Sequence, residues 1–228
     1  MGAFDFAFDF GFDADFCDNE RMTQRRPYVL YALVVLVATL AGAMLARMLN
    51  PPAPVLANGT WLPEPRTLAP FSLQDLEGRP FDNTSLAGRP RLLFFGFTSC
   101  PDVCPTTLAT LREVYKTRAA EGLPDFGVLF VSVDGERDTA DNLRQYLQAF
   151  SAEFQGARGD AAALAPLLKS LDAIAMKVPL ADGSYTMDHT AAVYWLDAKG
   201  RYRAVFSAPL TSAGLRNDLR RIAAAGVR

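Results

Sequence analysis

Histidine and cysteine, two side chains that bind transition metals well, are scarce in this sequence. Its 228 residues include one histidine and three cysteines. A structural zinc site takes four protein ligands, and if Cys17 in the N-terminal segment is left out, a carboxylate would have to supply the fourth. Basic residues are not in excess either, with 23 lysines and arginines against 25 acids. A nucleic-acid-binding protein is therefore not expected, because little would neutralise the phosphates.

The composition is that of a globular protein with extensions. Half of the residues are apolar and 21% are charged, which excludes collagen, wholesale disorder and a multidomain assembly. The first 21 residues hold six acids and one base. Phenylalanine alternates there with small or acidic residues, but no neighbouring segment can pair with such a strand. Residues 1–27 are predicted to be a low-complexity N-terminal segment, and an aggregation-prone or partner-binding strand is the alternative.

A run of 19 uncharged residues, 28–46, follows this segment. As a helix it reaches roughly 28 Å, about the thickness of a bilayer's hydrocarbon core. Two arginines lie directly before the run and one directly after it, so the positive-inside rule predicts a cytoplasmic N-terminus. We predict a single-pass inner-membrane anchor at residues 28–49, with the rest on the periplasmic or equivalent intermembrane-space side. A cleaved signal peptide is the alternative, although the run is long for one.

Residues 50–68 contain five prolines and no apolar periodicity, which predicts a stiff, proline-rich linker. The globular domain is predicted at residues 69–228, a length that can bury a core. Two continuous apolar runs, residues 91–97 and 126–133, are typical of strands covered on both faces of a parallel sheet. Between them, apolar residues recur at helical spacing.

The remaining elements alternate in the same way. Three helices are predicted around residues 143–150, 160–171 and 215–222, a hairpin at 174–180 and 184–187, and strands at 191–196 and 202–207. A βαβ half followed by a ββα half is the order of a thioredoxin-like α/β fold, with a central mixed sheet flanked by helices.

Cys100 and Cys104 lie in the segment Thr-Ser-Cys-Pro-Asp-Val-Cys-Pro, and the third cysteine, Cys17, lies in the N-terminal segment. Outside the cytoplasm such a close pair is a disulfide, a metal-binding pair or a redox pair. The pair precedes the first helix of the domain, whose N-terminus favours thiolate. Because each cysteine precedes a proline, both are expected on an exposed turn, with Pro105 opening the helix. A purely structural disulfide would close only a short loop and stabilise little.

His189 is the single histidine, and a lone histidine is more often a packed or surface residue than a ligand. It follows the predicted hairpin, however, where a thioredoxin-like fold brings the chain over the cysteine turn. Two thiolates and an imidazole suit Cu(I), and Cu(II) if a fourth donor joins. Asp188 is a candidate to orient the imidazole, and an exposed turn residue is the equal alternative.

Three segments resemble the Sco/SenC family of membrane-anchored copper chaperones: FGFTSCPDVCP at residues 95–105, VSVDGERD at 131–138 and YTMDHT at 185–190. The resemblance covers about residues 69–225 and includes the anchor. It implies a thioredoxin-like fold that binds one copper ion through Cys100, Cys104 and His189. It also implies assembly of the binuclear copper site of cytochrome c oxidase, with the copper-site subunit as partner and other periplasmic thiol or copper proteins as further candidates.

Four further residues of these three segments bear on the resemblance. The family usually has proline where Gly135 stands and often serine where Thr190 stands, differences that affect loop stiffness and not the ligands. Asp134 and Asp138 are expected to be turn and cap residues, and a fourth Cu(II) donor from this region is the alternative.

A thiol–disulfide oxidoreductase or peroxidase-like redoxin is the alternative function, since it also needs an activated cysteine pair. The CxxxC spacing and the histidine favour the chaperone. Both functions coexist if a redox-active disulfide of Cys100 and Cys104 reduces the target's cysteines before copper is delivered. The sequence therefore favours a metallochaperone, with thiol–disulfide reductase activity as the enzymatic alternative.

Overall fold

The structure is a computed structural model that describes residues 16–49 and 53–226, in two compact units that divide after Pro52. The first unit is the helix α1 (Phe16–Leu49), in which Tyr28–Arg47 is long and apolar enough to cross a membrane. This helix begins before the predicted anchor and runs through Pro27. The rest of the predicted low-complexity segment, residues 1–15, lies outside the described residues.

The second unit is built from short strands and helices. In chain order they are β1 (Gly59–Arg66), β2 (Ser72–Asp75), β3 (Pro80–Asp82), a 3-10 helix (Asn83–Leu86), β4 (Arg91–Gly96), α2 (Val103–Thr117), β5 (Gly127–Ser132), α3 (Ala140–Gln148), β6 (Gln155–Arg158), α4 (Ala161–Ser170), β7 (Ala175–Pro179), β8 (Tyr185–His189), β9 (Ala192–Leu196), β10 (Tyr202–Ser207) and α5 (Ser212–Ala224).

Eight of these strands form one mixed sheet in the order β1-β10-β9-β4-β5-β6-β2-β3. Strands β4, β5 and β6 are parallel, and the other pairs are antiparallel. Every residue of β4 and β5 is buried, as expected for the central strands of a sheet that is covered on both faces. The structure confirms the predicted α/β architecture of a mixed central sheet flanked by helices.

The predicted hairpin is also present, as a separate two-stranded sheet of β7 and β8. Gly183 in its turn has a φ of 82°, a left-handed conformation that favours glycine. Strands β2, β3 and β6 were absent from the sequence prediction. Each is at most four residues long, too short for a period-two pattern to stand out.

The predicted linker at residues 50–68 is wrong in its C-terminal half. Strand β1 pairs with β10 at the edge of the sheet, and Leu68 is part of the hydrophobic core. The carboxylate of Asp218 on α5 accepts hydrogen bonds from the backbone N–H of Ala57 at 2.7 Å and of Asn58 at 2.8 Å. The prolines of this segment favoured a linker in the sequence. They are tolerated in β1 because an edge strand can contain residues that have no backbone N–H to donate. The globular unit therefore begins well before the predicted boundary at residue 69.

Helix α2 differs from the next three helices in how it begins. Side chains cap α3, α4 and α5: Thr139 accepts from the N–H of Asn142, and Asp160 and Thr211 act similarly. The N-cap residue of α2, Asp102, makes no such bond with its side chain. Free amides at the start of α2 are thus available to the cysteines there.

Candidate metal centre

Three donor side chains from two distant parts of the chain meet beside the end of β4. The sulfurs of Cys100 and Cys104 and a ring nitrogen of His189 all lie within 4.8 Å of one another. Within this group, Cys104 Sγ and His189 Nε2 are 3.5 Å apart. The structure therefore brings together the three residues that the sequence singled out.

Cys104 is completely buried and lies in the first turn of α2, so the predicted exposed turn is wrong for this residue. Gly96 makes the room for its sulfur, since a Cβ at that position would lie 2.9 Å from Cys104 Sγ. The helix opens at Val103 and not at Pro105. Proline is tolerated there because amides of the first helical turn have no partner within the helix.

The electrostatics of the Cys104 thiol differ from the prediction. Burial raises the pKa of the Cys104 thiol, and its hydrogen bond with Cys100 acts in the same direction. For Cys104, burial therefore outweighs the helix N-terminus, which was expected to favour thiolate. Cys100 is only partly buried, and its sulfur accepts a hydrogen bond from the Cys104 N–H at 3.4 Å. Both residues are free cysteines, without a disulfide between them.

His189 is the last residue of β8, and its ring packs edge-on against two phenylalanines. The ring centroids lie 6.0 Å from Phe94 and 5.9 Å from Phe97. Burial lowers the pKa of His189, which favours the neutral imidazole that binds metals. Its Nδ1 lies 3.3 Å from the Thr190 carbonyl oxygen, and a proton donated there leaves the Nε2 lone pair facing the cysteines.

Asp188 does not have the orienting role considered for it. Its side chain is exposed, and the Thr190 carbonyl is the partner of His189 Nδ1 in the structure. Asp188 is therefore better described by the alternative that the sequence offered, an exposed residue next to the ligand. A backbone carbonyl carries no sequence signal, so the actual partner was not predictable.

Asp134 begins a turn as expected, since its carbonyl accepts from the Arg137 N–H at 3.2 Å, but its side chain is buried. Asp138 is buried as well and does not cap α3. Asp138 accepts hydrogen bonds from the backbone N–H and side-chain hydroxyl of Thr98, and Thr139 is the residue that caps α3. Asp134 accepts from the Tyr185 hydroxyl at 2.9 Å. Among the described residues, neither carboxylate belongs to the donor group formed by the two cysteines and the histidine.

The donor set fits a soft metal ion. Metal–sulfur and metal–nitrogen bonds of about 2.3 and 2.1 Å put the ligands of a trigonal site about 4 Å apart. The observed separations of 3.5 Å and at most 4.8 Å are close to this value. Thiolate and imidazole donors suit copper and zinc, but the group contains three such residues within the described chain, one fewer than structural zinc takes.

Comparison with known proteins identifies the family of this chain. The profile of the SCO1/SenC family matches residues 61–224. This chain belongs to the SCO1/SenC family. The mitochondrial SCO2 homolog of Bos taurus is 36% identical over 157 residues, which are 68% of this chain and 59% of that protein.

Solved structures of other Sco proteins share the fold. Bradyrhizobium japonicum ScoI with copper bound is 41% identical, with a TM-score of 0.59 over 68% of this chain and 98% of that one. BsSco, a member of the Sco family of cytochrome c oxidase assembly proteins in which a disulfide switch was identified, is 22% identical, with a TM-score of 0.56. That match covers 74% of this chain and 99% of the BsSco chain, and at this identity it shows the fold alone.

Proposed function

We propose that this SCO1/SenC protein is a membrane-anchored copper chaperone that assists assembly of the binuclear copper site of cytochrome c oxidase. The observation that carries the proposal is the convergence of Cys100, Cys104 and His189 within 4.8 Å. The copper-bound structure of the 41% identical ScoI supports copper as the metal. The partner is the copper-site subunit of the oxidase, with other periplasmic thiol or copper proteins as further candidates.

The three side chains have different tasks in binding and releasing the copper cargo. Cys104 is buried in the first turn of α2 and provides the fixed side of the site, whereas His189 lies at the end of the hairpin and packs against aromatic rings. Cys100 is partly exposed and provides the side at which a target's ligand exchanges for it. The buried Cys104 thiol loses its proton when the metal binds, whereas the imidazole is already in its binding form.

The apolar segment Tyr28–Arg47 of α1 supports the membrane anchor. With two arginines before it and one after, the positive-inside rule favours a cytoplasmic N-terminus. The copper-binding unit then lies on the periplasmic side of a bacterial inner membrane, or on the equivalent intermembrane-space side.

Reduction of the target's cysteines is a second task that the same thiols can carry out. In that reaction Cys100 and Cys104 form a disulfide, and their two electrons and two protons convert the target's disulfide to two thiols. The two cysteines are free and their sulfurs lie within 4.8 Å of each other, which supports this second task. Copper transfer and thiol counts, measured on an oxidised and on a reduced target subunit, separate reduction from delivery.

Anaerobic titration of the full chain in detergent tests the copper site. Cu(I) is added in competition with a chromogenic chelator, and we expect one copper ion per chain. Cys100→Ser or Cys104→Ser should abolish tight binding, and Cys17→Ser is the matched control that should retain it. Binding that survives loss of both site cysteines would contradict the proposal.

A further inference from the structure

The loop between β5 and α3, residues 134–138, lies between the two halves of the candidate site. It contacts the cysteine loop on one side and the β7–β8 hairpin on the other. The resemblance to the family drew attention to this segment but assigned its acids only turn and capping roles. Its contacts show that it holds both the cysteine loop and the hairpin.

On the cysteine side, Asp138 holds Thr98, which lies two residues before Cys100. The carboxylate accepts hydrogen bonds from the Thr98 N–H at 3.1 Å and the Thr98 hydroxyl at 2.5 Å. It also accepts from the Ser132 hydroxyl at 2.5 Å, at the end of the central strand β5. Because Asp138 is fully buried, these bonds fix the cysteine loop to the sheet.

On the hairpin side, Arg137 holds Tyr185, the first residue of the strand that ends at His189. Its guanidinium lies 3.9 Å from the centroid of the Tyr185 ring, and its Nη1 donates to the Tyr185 carbonyl at 2.9 Å. Arg137 also pairs with the buried carboxylate of Asp134, which accepts from the Tyr185 hydroxyl. Arginine suits this site because its planar group stacks and forms directed hydrogen bonds together.

A second contact joins the same loop and hairpin. Lys177 on β7 forms a 2.7 Å ion pair with Glu136, and its Nζ lies 3.8 Å from the Tyr185 ring centroid. The hairpin needs such support because it is a sheet of its own, and isolated two-stranded hairpins are only marginally stable in water. The exposed ion pair adds little, so Arg137 and its buried partner carry most of the attachment.

Arg137 also approaches the metal ligands through one aromatic ring. Its guanidinium lies 5.9 Å from the Phe97 ring centroid, and Phe97 in turn packs edge-on against His189. The arginine therefore contacts both the strand that carries the histidine and a ring that bounds it.

We infer that the loop of residues 134–138 sets the distance between His189 and the cysteine sulfurs, with Arg137 as the positioning residue for the hairpin. This inference rests on the proposed copper binding. Arg137 touches no donor atom; it acts by restricting the hairpin. Loss of Arg137 should leave the three donors present but less well aligned on one ion.

Arg137→Gln in the full chain in detergent is the test, and Arg118→Gln is its matched control. Arg118 on the far end of α2 also stacks on a tyrosine, 3.7 Å from the Tyr115 ring centroid, and pairs with Asp125 at 3.3 Å. The two arginine side chains are 32% and 22% exposed, respectively. The control therefore removes comparable contacts away from the donor group.

Three quantities are measured on each variant: Cu(I) affinity, the thiolate-to-Cu(II) absorption band and hydrogen exchange of the apo hairpin amides. Arg137→Gln should lower the copper affinity about 10–100-fold, the usual effect of losing a residue that orients a ligand. It should also shift the absorption band and speed exchange at β7 and β8. Arg118→Gln should leave all three measurements unchanged, whatever its effect on the melting temperature.

The inference would be overturned if Arg137→Gln kept the copper affinity, the spectrum and the hairpin exchange of the wild type. It would also be overturned if Arg118→Gln changed these three quantities as much as Arg137→Gln does. If Arg137→Gln does not fold, Tyr185→Phe takes its place, because it removes only the hydroxyl bond to Asp134. A change in hairpin exchange and copper spectrum is then still expected, and its absence also counts against the inference. Failure of the wild-type chain to bind copper would instead refute the proposed function.

Discussion

The sulfur of Cys104 lies 3.5 Å from Nε2 of His189, although the two residues are 85 positions apart. Cys104 begins the helix after a central strand, whereas His189 ends a hairpin outside the main sheet. One ligand thus lies on a helix that packs against the central sheet, and the other lies on a less supported hairpin. Movement of the hairpin would therefore change the metal site without unfolding the core.

His189→Ala should greatly weaken copper binding while the apo protein stays folded. One of three ligands is lost, and so are the contacts of the half-buried ring with Phe94 and Phe97. We therefore expect the free energy of unfolding of the apo protein to fall by about 1 kcal/mol. Copper affinity and apo melting temperature are measured on the same variant. Asp188→Ala is the control and should change neither, because Asp188 is exposed. Unchanged copper affinity in His189→Ala would remove the histidine from the site.

Copper affinity should rise with pH, because metal and proton compete for the thiols. Burial raises the pKa of Cys104, so its thiol stays protonated at neutral pH and must release that proton on binding. Burial lowers the pKa of His189, so the imidazole is already neutral at pH 7 and releases no proton there. We expect the affinity to increase between about pH 6 and 9.

Proton release on anaerobic addition of Cu(I), measured in weak buffer, checks this expectation. Cys104→Ser should release fewer protons than the wild-type chain when the same amount of Cu(I) is added. An affinity that stays flat over this pH range would show that the Cys104 thiol is already ionised.

The sequence predicted the elements whose patterns are long and local. The central strands β4 and β5 are continuous apolar runs, and α2 buries Leu108, Leu111 and Tyr115 at helical spacing. Strand β1 was missed because its prolines resemble a linker and its partner β10 lies far along the chain. Pairing between distant segments leaves little trace in either one alone.

The donor residues were predicted because their chemistry is rare in this chain, but their surroundings were not. The bonds from Thr98 to Asp138 join residues 40 positions apart, and no local pattern announces them. Burial of Cys104 depends on Gly96 in the neighbouring strand. A glycine ending an apolar strand before a cysteine loop was the available signal for a close approach.

Gly96→Ala should distort the cysteine side of the site. A Cβ there would lie 2.9 Å from Cys104 Sγ and 2.8 Å from the Phe130 ring, both in the packed interior. Overpacking of this kind costs about 1–3 kcal/mol, and we expect a shifted Cu(II) absorption band as well.

Gly127→Ala is the control for this substitution. Its Cβ would meet only the flexible end of Arg89, at 2.7 Å from Nη2, at the opposite end of the parallel strand pair. It should change neither the stability nor the absorption band appreciably. A wild-type band in Gly96→Ala would mean that Cys104 adapts without moving its sulfur relative to the metal.

Asp218→Asn should loosen the start of the globular unit. The fully buried carboxylate accepts backbone hydrogen bonds from Ala57 and Asn58, and an amide can offer an oxygen to only one of these donors. Leaving a buried N–H unpaired costs about 1–3 kcal/mol. We expect a lower denaturation midpoint by tryptophan fluorescence and faster proteolysis near residues 55–58.

The control is Asp141→Asn, which removes the same charge from a side chain that is 90% exposed and should change stability by less than about 0.5 kcal/mol. Equal effects of both substitutions would show that charge, and not the pair of amide bonds, sets the stability of this segment.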